Sequence, residues 1–291
     1  MSTELFRDAP FLLGMMRLHE DEALHQPNAM ADWIEARLDQ GLNWFDHADI
    51  YGDRQGETLF GQALRARPEL AKRVKIVTKA SIVTPGRDLS PMGVKHYDSS
   101  PEYITQAIDD ALDRLGVERL EHFLLHRPDP LMNAEDTARA LDAAIDAGKI
   151  GAAGVSNFLP EQWRRLQHAM QHKLVGHQLQ LSLAYPDPLF DGRYDALIAD
   201  NLQPMAWSPL GGGIVFEDVL GESLSRIAED LETSSAGLAL AWLRALPQRP
   251  VPVIGTLRPS RIDELLTGAN LNLERPTWFA LLEEARSHRV A

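Results

Sequence analysis

The chain has 291 residues, 44% of them hydrophobic, enough to bury roughly three quarters of its unfolded surface in one core. With 42 acidic against 29 basic residues, its net charge of −13 argues against nucleic-acid partners, whose footprints are basic. The absence of cysteine excludes disulfides, thiolate nucleophiles and cysteine-ligated metals, and fits a reducing compartment. Met1 to Pro10 lacks a signal-peptide pattern, and the richest apolar stretch, Ala236 to Leu246, carries Arg244 and falls short of the roughly 18 residues of a membrane span. The expectation is therefore a cytoplasmic protein with neither membrane nor nucleic-acid partner, folded as one domain over residues 1–291.

Along the chain, strand-like apolar runs alternate with amphipathic segments. The first run, Phe11 to Met16, precedes a helical face of Met30, Trp33, Ile34 and Leu38 that stops at Gly41. Leu42 to Asp46 and Val74 to Lys79 are the second and third strands. Ser99-Ser100-Pro101-Glu102 then provides an N-cap, a proline in the first turn and a nearby carboxylate. The helix it opens carries Ile104, Ala107, Ile108, Ala111, Leu112 and Leu115 on one face and closes at Gly116. Glu121 to His126 is the fourth strand, and Leu141, Ala144 and Ile145 mark a helix ending at Gly148. Ala152 to Ser156, His177 to Leu181, Pro204 to Trp207 and Val251 to Gly255 complete the strands, with Pro160 and Pro259 opening two more helices.

Eight strands alternating with helices, in a chain somewhat longer than the usual ~250 residues, predict a (β/α)8 TIM barrel, an α/β fold. A Rossmann sheet is disfavoured because no Gly-x-Gly-x-x-Gly follows the first strand. Two connections, Ser81 to Ser99 and Ser208 to Ser223, exceed what a minimal link needs. Active sites of such barrels lie at the C-terminal strand ends. Here those ends carry Asp46, Lys79, His126, Ser156 with Asn157, Trp207, and Gly255 with Thr256, while Gln178 lies in the sixth strand.

Three of these, Asp46, Lys79 and His126, make a proton donor of Tyr51 chemically reasonable. Tyr51 stands five residues after Asp46, in the turn behind the second strand, and a free phenol has a pKa near ~10. A Lys79 ammonium beside that hydroxyl favours the phenolate and lowers the pKa, while Asp46 keeps the lysine charged and oriented. His126 is placed to share the hydroxyl's hydrogen bond. Asp46 and Lys79 by themselves would read as an ordinary buried ion pair, a reading that Tyr51 and His126 in register displace, and Trp207 by itself as core. His168 and His172 have helical metal-pair spacing without a third ligand, so a solvated helix face is the expectation.

At these residues the chain resembles the aldo-keto reductase family, in the form of a bacterial branch of predicted oxidoreductases. The resemblance rests on Phe45-Asp46-His47-Ala48-Asp49-Ile50-Tyr51-Gly52, Ile76-Val77-Thr78-Lys79, Leu124-Leu125-His126-Arg127-Pro128, Gly154-Val155-Ser156-Asn157-Phe158 and Trp207-Ser208-Pro209-Leu210. It implies a catalytic tetrad of Asp46, Tyr51, Lys79 and His126, no metal, and NADP(H) lying across the barrel mouth. Ser156, Asn157 and Gln178 would bind the carboxamide, and Trp207, where the family more often has tyrosine, would stack on the nicotinamide. The loop Ser208 to Gly213, with Leu210 and Gly212, would bring backbone amides to the pyrophosphate. Gly255, Thr256, Arg258, Arg261 and Glu264 would meet the adenosine end, Thr256 and Arg261 at the 2′-phosphate. Two departures stand out: Gly255 replaces a lysine common there, and Leu265 an asparagine.

The implied activity is reduction of an aldehyde or ketone to an alcohol, or the reverse, with hydride from the nicotinamide and Tyr51 as general acid. The implied partner is a small carbonyl or alcohol substrate, and a monomer is compatible with the sequence. Loops Ser81 to Ser99, Arg127 to Asn133 and Ser208 to Ser223 would wall the pocket, with Met16, His96, Tyr97 and Phe216 facing it. The short tail after the last strand leaves that pocket open. Two other readings are a cofactor-sensing regulatory barrel with little turnover and a metal-assisted barrel hydrolase using Asp46, His47, Asp49 and His126.

Overall fold

A computed structural model of the chain describes residues 6, 8–86 and 92–289. Residues 87–91 of the expected pocket loop, and most of the Met1 to Pro10 stretch, lie outside the described residues. Eight strands close a barrel, as the alternation predicts. By backbone proximity the residues group into two compact units, one of residues 13–177 and one of residues 1–12 with 178–291.

Strand β1 (Leu12–Gly14) starts at the division and, with β2 (Trp44–Asp46), β3 (Lys75–Ala80), β6 (His122–Leu125) and β7 (Ala153–Ser156) of the first unit, runs parallel, and a short hairpin of β4 (Ile82–Val83) and β5 (His96–Tyr97) follows β3. The strand cores are buried throughout, which explains why they read as unbroken apolar runs rather than alternating ones. Helices α1 (Pro27–Asp39), α2 (Gln55–Ala66), α3 (Pro101–Leu115), α4 (Ala134–Asp146) and α5 (Pro160–Ala169) lie between them. The start of α3 is as expected: Ser100 accepts from the Tyr103 N–H at 3.3 Å, Pro101 opens the helix, and Gly116 closes it in the left-handed region at φ 68°. Helix α5 ends at Ala169, so His172 lies beyond it, bonded to Asp146 at 2.7 Å, and the expected shared helix face with His168 does not form.

Strand β8 (Leu174–Gln180) spans the division at residue 178. The second unit continues with α6 (Arg193–Ala199), β9 (Gln203–Trp207), α7 (Asp218–Asp230), α8 (Ser235–Arg244), β10 (Val251–Ile254), α9 (Pro259–Ala269) and α10 (Arg275–Arg286). The barrel order is β1-β10-β9-β8-β7-β6-β3-β2. The second long connection, Ser208 to Ser223, is shorter than expected, because a 3-10 turn occupies Gly211–Phe216 and α7 begins at Asp218. Helices α8 and α9 touch through glycine: a Cβ on Gly268 would stand 2.0 Å from the Gly237 Cα, so neither position has room for a side chain.

Candidate active site

Strand β2 ends on Asp46, and the chain then passes across β3: the His47 N–H donates to the Val77 carbonyl at 2.7 Å and the Asp49 N–H to the Lys79 carbonyl at 3.0 Å. These bonds fix the turn that carries Tyr51. The turn tightens through three successive residues at positive φ, Gly52, Asp53 and Arg54. Gly52 is required there twice over, since a Cβ would meet the His19 ring at 2.5 Å as well as being strained at φ 56°.

Lys79 arrives from β3 with its side chain 0% exposed, opposite Asp46 at 1%. Its ammonium has three protons and the structure uses them all: to the Asp46 carboxylate at 2.7 Å, the His47 carbonyl at 2.6 Å and the Tyr51 hydroxyl at 3.2 Å. Burial works against the charge, but Asp46 and Tyr51 outweigh it and hold the Lys79 pKa above its ordinary value. The lysine is therefore a fixed cation. Because it donates to the Tyr51 oxygen, the phenol's own proton is directed elsewhere.

The expected fall in the Tyr51 pKa does not occur. Burial is the largest influence and raises it, Lys79 pulls it back, and the Asp46 and Asp49 carboxylates raise it again, leaving the phenol above its ordinary value. Tyr51 thus keeps its proton through the neutral range.

His126 extends from β6 with its N–H on the Ala80 carbonyl at 2.8 Å. Its ring stands edge-on to Tyr51, centroids 6.2 Å apart, without the hydrogen bond that the sequence suggested. Burial, then Lys79, Arg127 and Lys95, hold its pKa well below the ordinary imidazole value, so it is neutral. The structure brings Asp46, Tyr51, Lys79 and His126 together. The His47 carbonyl belongs with them, and no side-chain pattern reveals a backbone acceptor.

The alternative metal set is not assembled. Asp46 is engaged by Lys79, the buried His47 ring packs 4.7 Å from Phe60, and Asp49 accepts from the Tyr103 hydroxyl at 3.2 Å. Among the described residues no three His, Asp or Glu are placed to hold a metal ion. Beneath the site, buried Glu57 accepts from Thr78 at 2.6 Å and from Arg114 at 2.7 Å, tying α2, β3 and α3 together.

Within the first unit, Ser156 ends β7 and is buried, and the adjacent Asn157, at φ 64°, donates to the His126 carbonyl at 3.2 Å and to Ser156 at 2.8 Å. In the second, Gln178 is buried and Trp207 half-buried at the end of β9. Ser208 and Gly211 to Gly213 all have positive φ, with Leu210 between them half-buried. Gly255, Arg258, Arg261 and Glu264 are exposed and Thr256 half-buried around the start of α9, where the Arg258 N–H donates to the Thr256 hydroxyl at 3.3 Å. Two guanidiniums, a hydroxyl and a helix N-terminus fit a phosphate in chemistry. Leu265, the departure from asparagine, is 2% exposed and packs inward. Of the residues expected to face the pocket, Met16 and Phe216 are 48% and 43% exposed, His96 is exposed and Tyr97 half-buried.

The barrel joins a buried Lys79–Asp46 pair to the oxygen of the Tyr51 phenol, and the comparisons give the class of protein to which this arrangement belongs. The sequence matches the aldo/keto reductase family over residues 10–281, and the chain belongs to that family. It is 39% identical over 281 residues to a 6-dehydroglucose reductase of Agrobacterium fabrum, covering 96% of this chain and 94% of that one. It is 35% identical over 285 residues to the oxidoreductase YdhF of Escherichia coli, covering 96% and 94%. Among solved structures, an aldo/keto reductase from Klebsiella pneumoniae in complex with NADP and acetate superposes with a TM-score of 0.76 at 22% identity, over 96% of this chain and 92% of that one. That likeness is one of fold.

Proposed function

We propose that the chain, acting as one domain, is an NADP(H)-dependent reductase of aldehydes or ketones in which Tyr51 is the general acid. The observation that carries this reading is the triply bonded Lys79 ammonium, which donates to the Tyr51 oxygen and leaves the phenolic proton to be given away. When bound, NADP(H) supplies the hydride. Tyr51 protonates the carbonyl oxygen as charge develops there, and the phenolate that results is stabilised by Lys79 until it regains a proton from water. Asp46 keeps Lys79 charged, and neutral His126 orients the carbonyl from the other side of the hydroxyl.

For the cofactor we assign Ser156, Asn157 and Gln178 to the carboxamide, Trp207 to the nicotinamide face, Ser208, Leu210 and Gly212 to the pyrophosphate, and Gly255, Thr256, Arg258, Arg261 and Glu264 to the adenosine end. The NADP-bound neighbour and the paired Arg258 and Arg261 support the phosphorylated cofactor. The name of the Agrobacterium relative places a sugar-derived aldehyde in the substrate panel.

The test is multiple-turnover oxidation of NADPH with a panel of aldehydes and ketones. Turnover is expected in the wild type, and Tyr51→Phe should lower kcat by roughly 10²- to 10⁴-fold while cofactor affinity, read by fluorescence titration, changes little. Near-normal turnover by that variant would remove Tyr51 from its role.

A further inference from the structure

The Lys79 ammonium and the Tyr51 hydroxyl are 3.2 Å apart, the long end of the range for such a bond, so a small displacement of either residue parts them. Lys79 is fixed by β3 and by its bonds to Asp46 and the His47 carbonyl. Tyr51 is less secure in itself. The turn behind it takes Gly52, Asp53 and Arg54 through positive φ, and two of these bear side chains in a conformation that glycine favours. Such a turn keeps its shape only where its surroundings impose it.

Buried Glu57 supplies that constraint. It lies in the first turn of α2, and the residue before it, Gly56, donates its N–H to the Tyr51 carbonyl at 3.2 Å. One Glu57 oxygen accepts from the Thr78 hydroxyl at 2.6 Å, and Thr78 directly precedes Lys79. Successive side chains of a strand point to opposite faces, so Thr78 reaches α2 while Lys79 reaches the phenol. A closed circuit results: the Tyr51 carbonyl to Gly56, Glu57 to Thr78, and Lys79 back to the Tyr51 hydroxyl. The other Glu57 oxygen accepts from the Arg114 Nε and Nη2, both at 2.7 Å. Helices α2 and α3 are already joined without it. Arg65 donates to the Asp113 and Arg114 carbonyls at 3.2 Å each, and a Cβ on Gly61 would stand 2.0 Å from the Arg114 carbonyl. What the Glu57 carboxylate adds is therefore the tie to β3. A buried ion pair is weak as a source of stability, since apolar side chains of similar size do as well, and its use lies in fixing geometry.

We infer that Glu57 is a positioning residue whose bond to Thr78 sets the distance between the Tyr51 hydroxyl and the Lys79 ammonium, and with it the competence of the proton donor. The kinetic consequence rests on the reading of Tyr51 as general acid, whereas the placement of the phenol rests on the geometry alone.

Glu57→Ala strips the partner from Arg114, only 14% exposed, and puts the fold itself at risk, so the test cuts the bond at Thr78. Thr78→Val keeps the branched shape, removes the hydroxyl and leaves the Glu57–Arg114 pair intact. With the full chain, NADPH and 4-nitrobenzaldehyde, it should lower kcat roughly ten- to a hundredfold, the effect of an ångström-scale misplacement, with KM and NADPH affinity little changed. Thr78→Ser, which keeps the hydroxyl, should recover most of that loss. In a Tyr51→Phe background Thr78→Val should cost nothing further, because the bond acts through the phenol. An equal loss in both backgrounds would make the bond merely structural and overturn the inference. A second readout is independent of turnover. In protein labelled with carbon-13 at the hydroxyl-bearing ring carbon of tyrosine, the Tyr51 signal, assigned by its loss in Tyr51→Phe, should shift in Thr78→Val and return in Thr78→Ser. A signal that Thr78→Val leaves unmoved overturns the positioning role. A signal that moves in a protein reducing no carbonyl removes the reductase reading and keeps the placement.

Discussion

At the scale of single residues, the site is organised by one ammonium rather than by one acid. Removing that charge with Lys79→Met leaves Asp46 buried without its partner and Tyr51 without stabilisation of its phenolate, so both stability and turnover should fall. A loss of about 3–5 kcal/mol in denaturant unfolding is expected from the orphaned carboxylate. His126 is held neutral, so the pH profile of kcat/KM for reduction should show no inflection at the ordinary imidazole value, measured across the neutral range. A break near 6.5 that His126→Gln abolishes would contradict the neutral ring. Asp46, Tyr51, Lys79 and His126 were legible as residues because each lies at or just past a recognisable strand end. The direction of the Tyr51 shift was not, because burial depends on everything packed around the phenol and no local pattern carries it. The His47 carbonyl was invisible for a related reason: every residue has a carbonyl, and only the path of the turn aims this one.

At the scale of elements, apolar runs and punctuation predicted strands and capped helices well. Helix α3, with Ser100 and Pro101 at its start and Gly116 at its end, has a signal at each terminus. Helix α2 has none, since it opens at a left-handed Arg54 without a side-chain cap, and α7 opens after an uncapped Glu217. The hairpin β4–β5 escaped notice because its strands are two residues each, too short for any periodicity. Close helix contact was hidden too: nothing local in the sequence marks Gly237 and Gly268 as partners, and only the meeting of α8 and α9 makes them so. Gly268→Ala should force these helices apart and cost about 1–3 kcal/mol or more, read as a lower midpoint in thermal unfolding. An unchanged midpoint would mean that the pair separates freely.

At the scale of the whole molecule, the barrel was predictable because alternation of strand and helix survives summing over the chain even where single boundaries drift. Its sensitivity to acid follows from buried imidazoles. Burial, helped by Lys79 at His47, lowers the pKa of both His47 and His122 to about 3, against an ordinary 6.5. Between those values the unfolded chain binds protons that the folded chain refuses, so stability present above pH 6.5 is lost as pH falls toward 3. Each such histidine should contribute a slope of about 1.4 kcal/mol per pH unit in that window. Urea unfolding at stepped pH should show this fall, and His122→Gln should flatten it by one proton's worth. No helix among the described residues is long and apolar enough to cross a membrane.

The fully bonded Lys79 has a last consequence, for chemical self-defence. A primary amine beside an aldehyde ordinarily condenses with it to a Schiff base, but only through a free lone pair. Here the pair is locked up by a proton, all three N–H bonds are spoken for, and the nitrogen is sealed from solvent. In the proposed reaction the site therefore handles an electrophile next to a nucleophile without being consumed by it. Borohydride trapping with a reactive aldehyde, followed by peptide mapping, should mark exposed lysines such as Lys95 and leave Lys79 unmarked.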